Sequence, residues 1–152
     1  MWTHPLLKDR VRTTLMWALN AKFAAGTTAI IRNERGEVLL MEHAFRRRYP
    51  WALPGGWMER QESPEAAVLR EVQEETGLHV RIERLLTART FALPRLDVVY
   101  VCRPLDPTAA VRGSSETPRW RWCAPGDYPP GVDPYTVELI SLASADDFGP
   151  PA

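Results

Sequence analysis

An α/β domain is predicted by three observations on this chain of 152 residues. Short apolar runs of strand length lie on both sides of one strongly marked helix; a glycine pair leads into that helix; a second helical stretch follows a proline-rich segment. The marked helix is the clearest element. Ser63 suits its N-cap, Pro64 its first position, and Gly77 the residue past its last turn. Stepping about 100° per residue places Ala66, Leu69, Val72 and Thr76 on one side and Glu71, Glu74 and Glu75 on the other. One face is expected to pack on a core while the opposite face presents three carboxylates.

That acidic face works against an isolated helix. Like charges three and four residues apart repel, at roughly 0.2–0.5 kcal/mol per pair, and they lie in the half where the helix dipole disfavours anions. Arg70, one turn before Glu74, offsets part of this. The plain alternative is a solvated acidic face. A broken local rule just after a glycine-rich loop is where a functional site is expected, and clustered carboxylates suit hard divalent cations, Mg²⁺ above all.

The other elements follow in order. Residues 5–23 read as a helix, with Leu7, Val11, Leu15 and Leu19 recurring every four residues and Met16 and Phe23 extending the stripe. Such a stripe serves a core or a subunit contact, with a membrane-surface helix as the alternative. Residues 27–32 and 38–42 are strand candidates joined by the turn Asn33-Glu34-Arg35-Gly36. Arg46, Arg47 and Arg48 beside Tyr49 and Trp51 either grip phosphates and stack a base or form a solvated basic loop. His43 reads as structural. Gly55 and Gly56 allow backbone shapes closed to other residues, so their loop delivers Trp57 and Glu62 to the helix entrance. Residues 80–90 and 96–103 are strands, with 91–95 between them placed to line a pocket. Residues 104–118 form a polar loop, 120–123 a short strand, and 135–145 a closing helix burying Val137, Ile140 and Leu142.

Composition narrows the class. With 19 basic and 19 acidic residues the formal charge is zero, which gives no support to bulk binding of a nucleic acid polymer. Cys102 and Cys123 make neither a disulfide framework nor a zinc pattern, so a cytoplasmic location is expected. No stretch approaches 18 apolar residues, and Lys8, Asp9, Arg10 and Arg12 interrupt any signal-peptide core.

The residues Gly56, Glu62, Arg70, Glu71, Val72, Glu74, Glu75, Gly77 and Leu78 fill every specified position of one pattern: Gly, five residues, Glu, seven residues, then Arg-Glu-aliphatic-x-Glu-Glu-x-Gly-aliphatic. The stretch resembles the Nudix box, and looser similarity to Nudix hydrolases covers about residues 25–125. The resemblance implies an α/β/α sandwich with a mixed β-sheet, to which the N-terminal helix is an addition. Residues 1–24 are then an extension, 25–145 the hydrolase domain and 146–152 a tail. It implies Glu71 and Glu75 as principal ligands of Mg²⁺, with Mn²⁺ as the alternative cation, and Glu74 as a further ligand or the base that activates water. Glu62 and Arg70 become a structural ion pair, with Gly56 and Gly77 as structural positions of the box. Glu116 matches an acidic residue that serves some members as extra ligand or base; a plain surface glutamate is the alternative. Arg46, Arg47, Arg48, Trp51 and Gly56 are the expected substrate-binding residues. Pro94 sits where some ADP-ribose enzymes of the family carry a proline, although the Ser-Pro-Gly that often accompanies it is absent.

The expected function is Mg²⁺-dependent hydrolysis of a diphosphate bond in a nucleoside diphosphate linked to another group, such as ADP-ribose or a sugar nucleotide. A sanitising enzyme for damaged nucleoside triphosphates such as 8-oxo-dGTP is the first alternative. A nucleotide-binding regulator without turnover is the second, and intact box carboxylates count against it. The expected partner is a small nucleotide, with no nucleic acid polymer and no membrane; a homodimer is left open.

Overall fold

The structure is a computed structural model that describes residues 23–90 and 94–146. The proposed N-terminal helix, Phe91 to Leu93 of the connection, and the tail beyond Asp146 lie outside the described residues. Seven strands and two helices are described: β1 (Ala24–Ile31), β2 (Val38–Glu42), β3 (Trp51–Ala52), β4 (Gly55–Trp57), α1 (Pro64–Thr76), β5 (Val80–Thr90), β6 (Arg95–Pro104), β7 (Arg119–Cys123) and α2 (Pro134–Asp146). The strands form a mixed four-stranded sheet, β4-β1-β6-β5, and a three-stranded sheet, β3-β2-β7. β1 runs parallel to β6 and antiparallel to β4. The architecture is the expected α/β/α sandwich with a mixed sheet between two helices.

Alternation along the strands builds the layers. Successive side chains point to opposite faces. Ala29 and Ile31 of β1, with Val98, Tyr100 and Cys102 of β6, join Val68 and Val72 of α1 in one core. Ile30, Val99 and Val101 join Leu139, Ile140 and Ala143 of α2 in the other. A sheet buried on both faces reads as an unbroken apolar run, which is why 98–102 is VVYVC. Ile30, Ile31, Leu39 and Leu40 are fully buried, and each such side chain contributes roughly 1.5–3 kcal/mol. Cys102 and Cys123 are buried free thiols, and burial pushes Cys102 up to about 12. Among the described residues, no helix is long and apolar enough to cross a membrane.

Two helix faces differ from the expectation. The buried residues of α1 are Ala67, Val68, Val72 and Thr76; Ala66 is exposed and Leu69 is 38% exposed. The helix is turned so that Glu71 and Glu75 border the packed face, because the glycine floor of β4 admits carboxylates where side chains would block them. In α2, Leu139, Ile140 and Ala143 are buried, Val137 is half-buried, and Leu142 is exposed. The expected Leu142 contact is absent because Ala143 takes the core-facing position.

Candidate active site at the glycine floor

The site begins with two glycines. Gly55 has φ +153°, and a Cβ there would overlap the Thr27 carbonyl oxygen and come within 2.9 Å of Thr28 Cα. A Cβ on Gly56 would lie 2.5 Å from both Glu71 carboxylate oxygens. Glycine is therefore required for β4 to pair with β1 and for Glu71 to lie against it. α1 starts where expected. The Ser63 hydroxyl accepts from Ala66 N–H at 3.2 Å, and Gly77 at φ 70° sends its N–H to Gln73 O at 2.9 Å.

Arg70 ties the box together. Its Nε and Nη2 donate to the two oxygens of Glu62 at 2.9 and 3.0 Å. Nη1 donates to Glu71 at 2.8 Å and Glu74 at 3.3 Å, and Nη2 also reaches Trp57 O at 3.0 Å. The expected Glu62–Arg70 pair is present in its bidentate form. Arg70, with the Glu59 N–H next, holds the Glu62 carboxyl down to about 2, and Arg70 itself is pushed upward by Glu62 and Glu71.

Glu75 differs from its neighbours. Its carboxylate accepts the Gly55 N–H at 2.9 Å. Burial raises its pKa to about 7 against that hydrogen bond, with the charges of Glu71 and Glu116 pushing the same way and Arg46 opposing them. Glu116 arrives on the loop before β7. Its carbonyl accepts Ala44 N–H at 2.8 Å, and neighbouring Thr117 donates its hydroxyl to Glu75 O at 3.4 Å. The structure thus sets Glu71 against Gly56 and Glu75 on the Gly55 N–H, and the charge of Glu116 acts on Glu75. The Glu74 side chain is 60% exposed and turned to Arg70.

The donors are hard carboxylate oxygens, a chemistry that fits Mg²⁺ or Mn²⁺. Among the described residues no three His, Cys, Asp or Glu side chains are gathered closely enough to hold a metal ion. Arg70 holds Glu71 and Glu74, and the Gly55 N–H holds Glu75.

The expected binding residues divide. Arg46 lies 3.8 Å from Asp133 and acts electrostatically on Glu75, whereas Arg48 lies over the Tyr49 ring at 5.2 Å. Arg47 is exposed. Trp51 is half-buried against the α2 core. His43 is half-buried, and burial, with the charge of Arg46, lowers it to about 4. A further group escaped the sequence reading. Asp97 is fully buried. It accepts from the Thr28 hydroxyl at 3.1 Å to both oxygens, from the Tyr135 hydroxyl at 2.9 Å and from Arg95 at 3.5 Å. The Arg95 guanidinium stacks on the Trp57 ring at 4.8 Å, and that ring is 54% exposed beside Gly56. The available signal was an aspartate inside the strand run 95–104.

Comparison with known proteins agrees with this fold. The chain is 29% identical over 129 residues to a MutT-like protein of Streptomyces ambofaciens, covering 84% of this chain and 80% of that protein. It is 40% identical over 77 residues to the human (Homo sapiens) 8-oxo-dGDP phosphatase NUDT18, covering 50% of this chain and 24% of that protein. The crystal structure of a MutT protein from Methanosarcina mazei superposes with a TM-score of 0.69 at 26% identity, covering 85% of this chain and 98% of that one. The NUDIX domain model matches residues 22–142, and with it comes general support for pyrophosphohydrolase chemistry on a diphosphate-containing nucleotide. On the box, the glycine floor and this match, the chain belongs to the NUDIX domain family.

Proposed function

We propose that this chain is a divalent-cation-dependent hydrolase that cleaves the diphosphate bond of a nucleoside diphosphate joined to a second group. The observation that carries the reading is the seating of Glu71 against Gly56 and of Glu75 on the Gly55 N–H, with the charge of Glu116 acting on Glu75. Glu71 and Glu75 would hold the cation, with the exposed Glu74 as a further ligand. A cation held there would neutralise charge on the phosphate oxygens and acidify the attacking water.

The chain's own residues do the positioning. Arg70 fixes Glu71 and Glu74 on the helix, and the Gly55 N–H aims Glu75. Arg46, whose charge acts on Glu75, would add positive charge for the phosphates, together with Arg47 and Arg48 on the same exposed loop. Glu116, on a loop rather than the helix, or a box glutamate, Glu74 or Glu75, would take the proton of the attacking water. A bond forms from water oxygen to phosphorus as the anhydride P–O bond breaks, releasing a nucleoside monophosphate and the phosphorylated second group.

A second reading rests on the 40% identity to the 8-oxo-dGDP phosphatase. In it the substrate is a damaged nucleotide, and the leaving group is phosphate or pyrophosphate. Product identification separates the two over ADP-ribose, sugar nucleotides, dinucleoside polyphosphates, 8-oxo-dGDP and 8-oxo-dGTP. Glu71→Gln and Glu75→Gln are each expected to lower turnover at least about 100-fold, the size of one strong electrostatic stabiliser. Full activity of Glu75→Gln, or turnover untouched by chelator, would overturn the proposal.

A further inference from the structure

A second concave site lies away from the box. Thr28 pairs with Gly55, and Arg32 lies four residues further along, about 13 Å at 3.3 Å per residue. There a cavity of about 600 Å³ is lined by Arg32, Asn33, Arg35, Arg81, Arg103 and Trp122, with Glu34 the acidic residue in the lining. Its size falls within the roughly 300–1,000 Å³ of small-molecule sites.

The charge arrangement breaks a local rule. Arg81 and Arg103 are direct cross-strand partners of β5 and β6, a position where like charges destabilise a sheet. One carboxylate serves both, since Glu83 lies 2.7 Å from Arg103 and 3.3 Å from Arg81. Arg35 pairs with Glu37 at 2.9 Å. Arg32 is 9% exposed and donates to the Ser144 hydroxyl at 3.4 Å. The neighbouring carboxylates leave surplus positive charge in a chain whose formal charge is zero. Each guanidinium carries five donors in a fixed fork that matches phosphate. Trp122, half-buried in the lining, adds a flat apolar wall.

We propose that this cavity is a second ligand site, which takes a nucleoside monophosphate with its phosphate on Arg81 and Arg103 and its base against Trp122. The probe is AMP, measured calorimetrically in chelator so that box chemistry is silent, with adenosine and ribose 5-phosphate as the base-only and phosphate-only arms. AMP is expected to bind, to weaken as salt rises, and to exceed both partial ligands. Arg81→Gln with Arg103→Gln should weaken it at least about tenfold, as loss of charge-assisted hydrogen bonds does. Arg35→Gln, on an exposed turn, should weaken it about threefold, by loss of one charge near the phosphate, and serves if the strand variant does not fold. Glu71→Gln with Glu75→Gln should leave AMP binding unchanged. Absence of AMP binding, or binding that survives the arginine variants, would overturn the proposal.

Discussion

Arg70 carries five N–H donors and each meets an acceptor: two on Glu62, one each on Glu71 and Glu74, and the Trp57 carbonyl. A helical arginine so engaged joins the loop before α1 to the helix, and Glu62 is the carboxylate that holds the fork bidentately. The sign of its pH effect follows from its folded pKa of about 2, below the ordinary carboxylate value. The unfolded chain takes up this proton first as pH falls, so the stabilisation is present above about pH 4.5 and lost on descent toward 2. Melting curves of wild type and Glu62→Gln should therefore differ most near neutrality and converge as pH drops through that window. A gap that stays constant down to pH 2 would mean that Glu62 contributes by packing alone. The pair was legible because the box fixes its spacing. The Asp97–Arg95–Trp57 group was not, since no periodicity says that a single aspartate on a strand meets Thr28, far away in sequence.

At the scale of elements, α1 shows which sequence signals are local. Its caps were readable because Ser63 and Gly77 act within one turn of themselves. Its phase was not, because Leu69 and Val68 are both apolar and only the surface beneath decides which is buried. The glycines of β4 lie under Glu71 and Glu75, and that rotates Val68 inward and leaves Leu69 at the surface. Helix limits, the two long strands and the turn at Asn33 came from propensity and pattern: α1 and β5 keep the expected limits, and β6 and α2 gain one residue at each end. Urea unfolding tests the phase. Val68→Ala and Val72→Ala should each cost about 2 kcal/mol, a core truncation with a residual cavity. Leu69→Ala should stay within about 0.5 kcal/mol, as for surface substitutions. Equal costs at 68 and 69 would restore the simpler helical wheel.

For the molecule as a whole, the acidic cluster is a cost that a ligand can remove. Burial and the neighbouring charges of Glu71 and Glu116 work against an ionised Glu75, with Arg46 and the Gly55 N–H as partial relief. A divalent cation would cancel that repulsion in the folded state, while the unfolded chain scatters the same carboxylates. Linkage then requires stabilisation of about 2.7 kcal/mol when free metal exceeds its Kd a hundredfold. For a domain of this size that is about 5–10 °C in Tm. The Tm should climb with millimolar Mg²⁺ and barely respond to NaCl at matched ionic strength, because screening acts weakly on a buried pair. Replacing Glu71 and Glu75 together by glutamine should abolish most of the Mg²⁺ response, and it should raise the Tm in chelator because the repulsion is gone. The control is Arg81→Gln with Arg103→Gln, whose Mg²⁺ response should match wild type because those residues lie at the other end of the sheet. A double glutamine variant that gains as much from Mg²⁺ as wild type would place the cation elsewhere in the chain and remove Glu71 and Glu75 as its ligands.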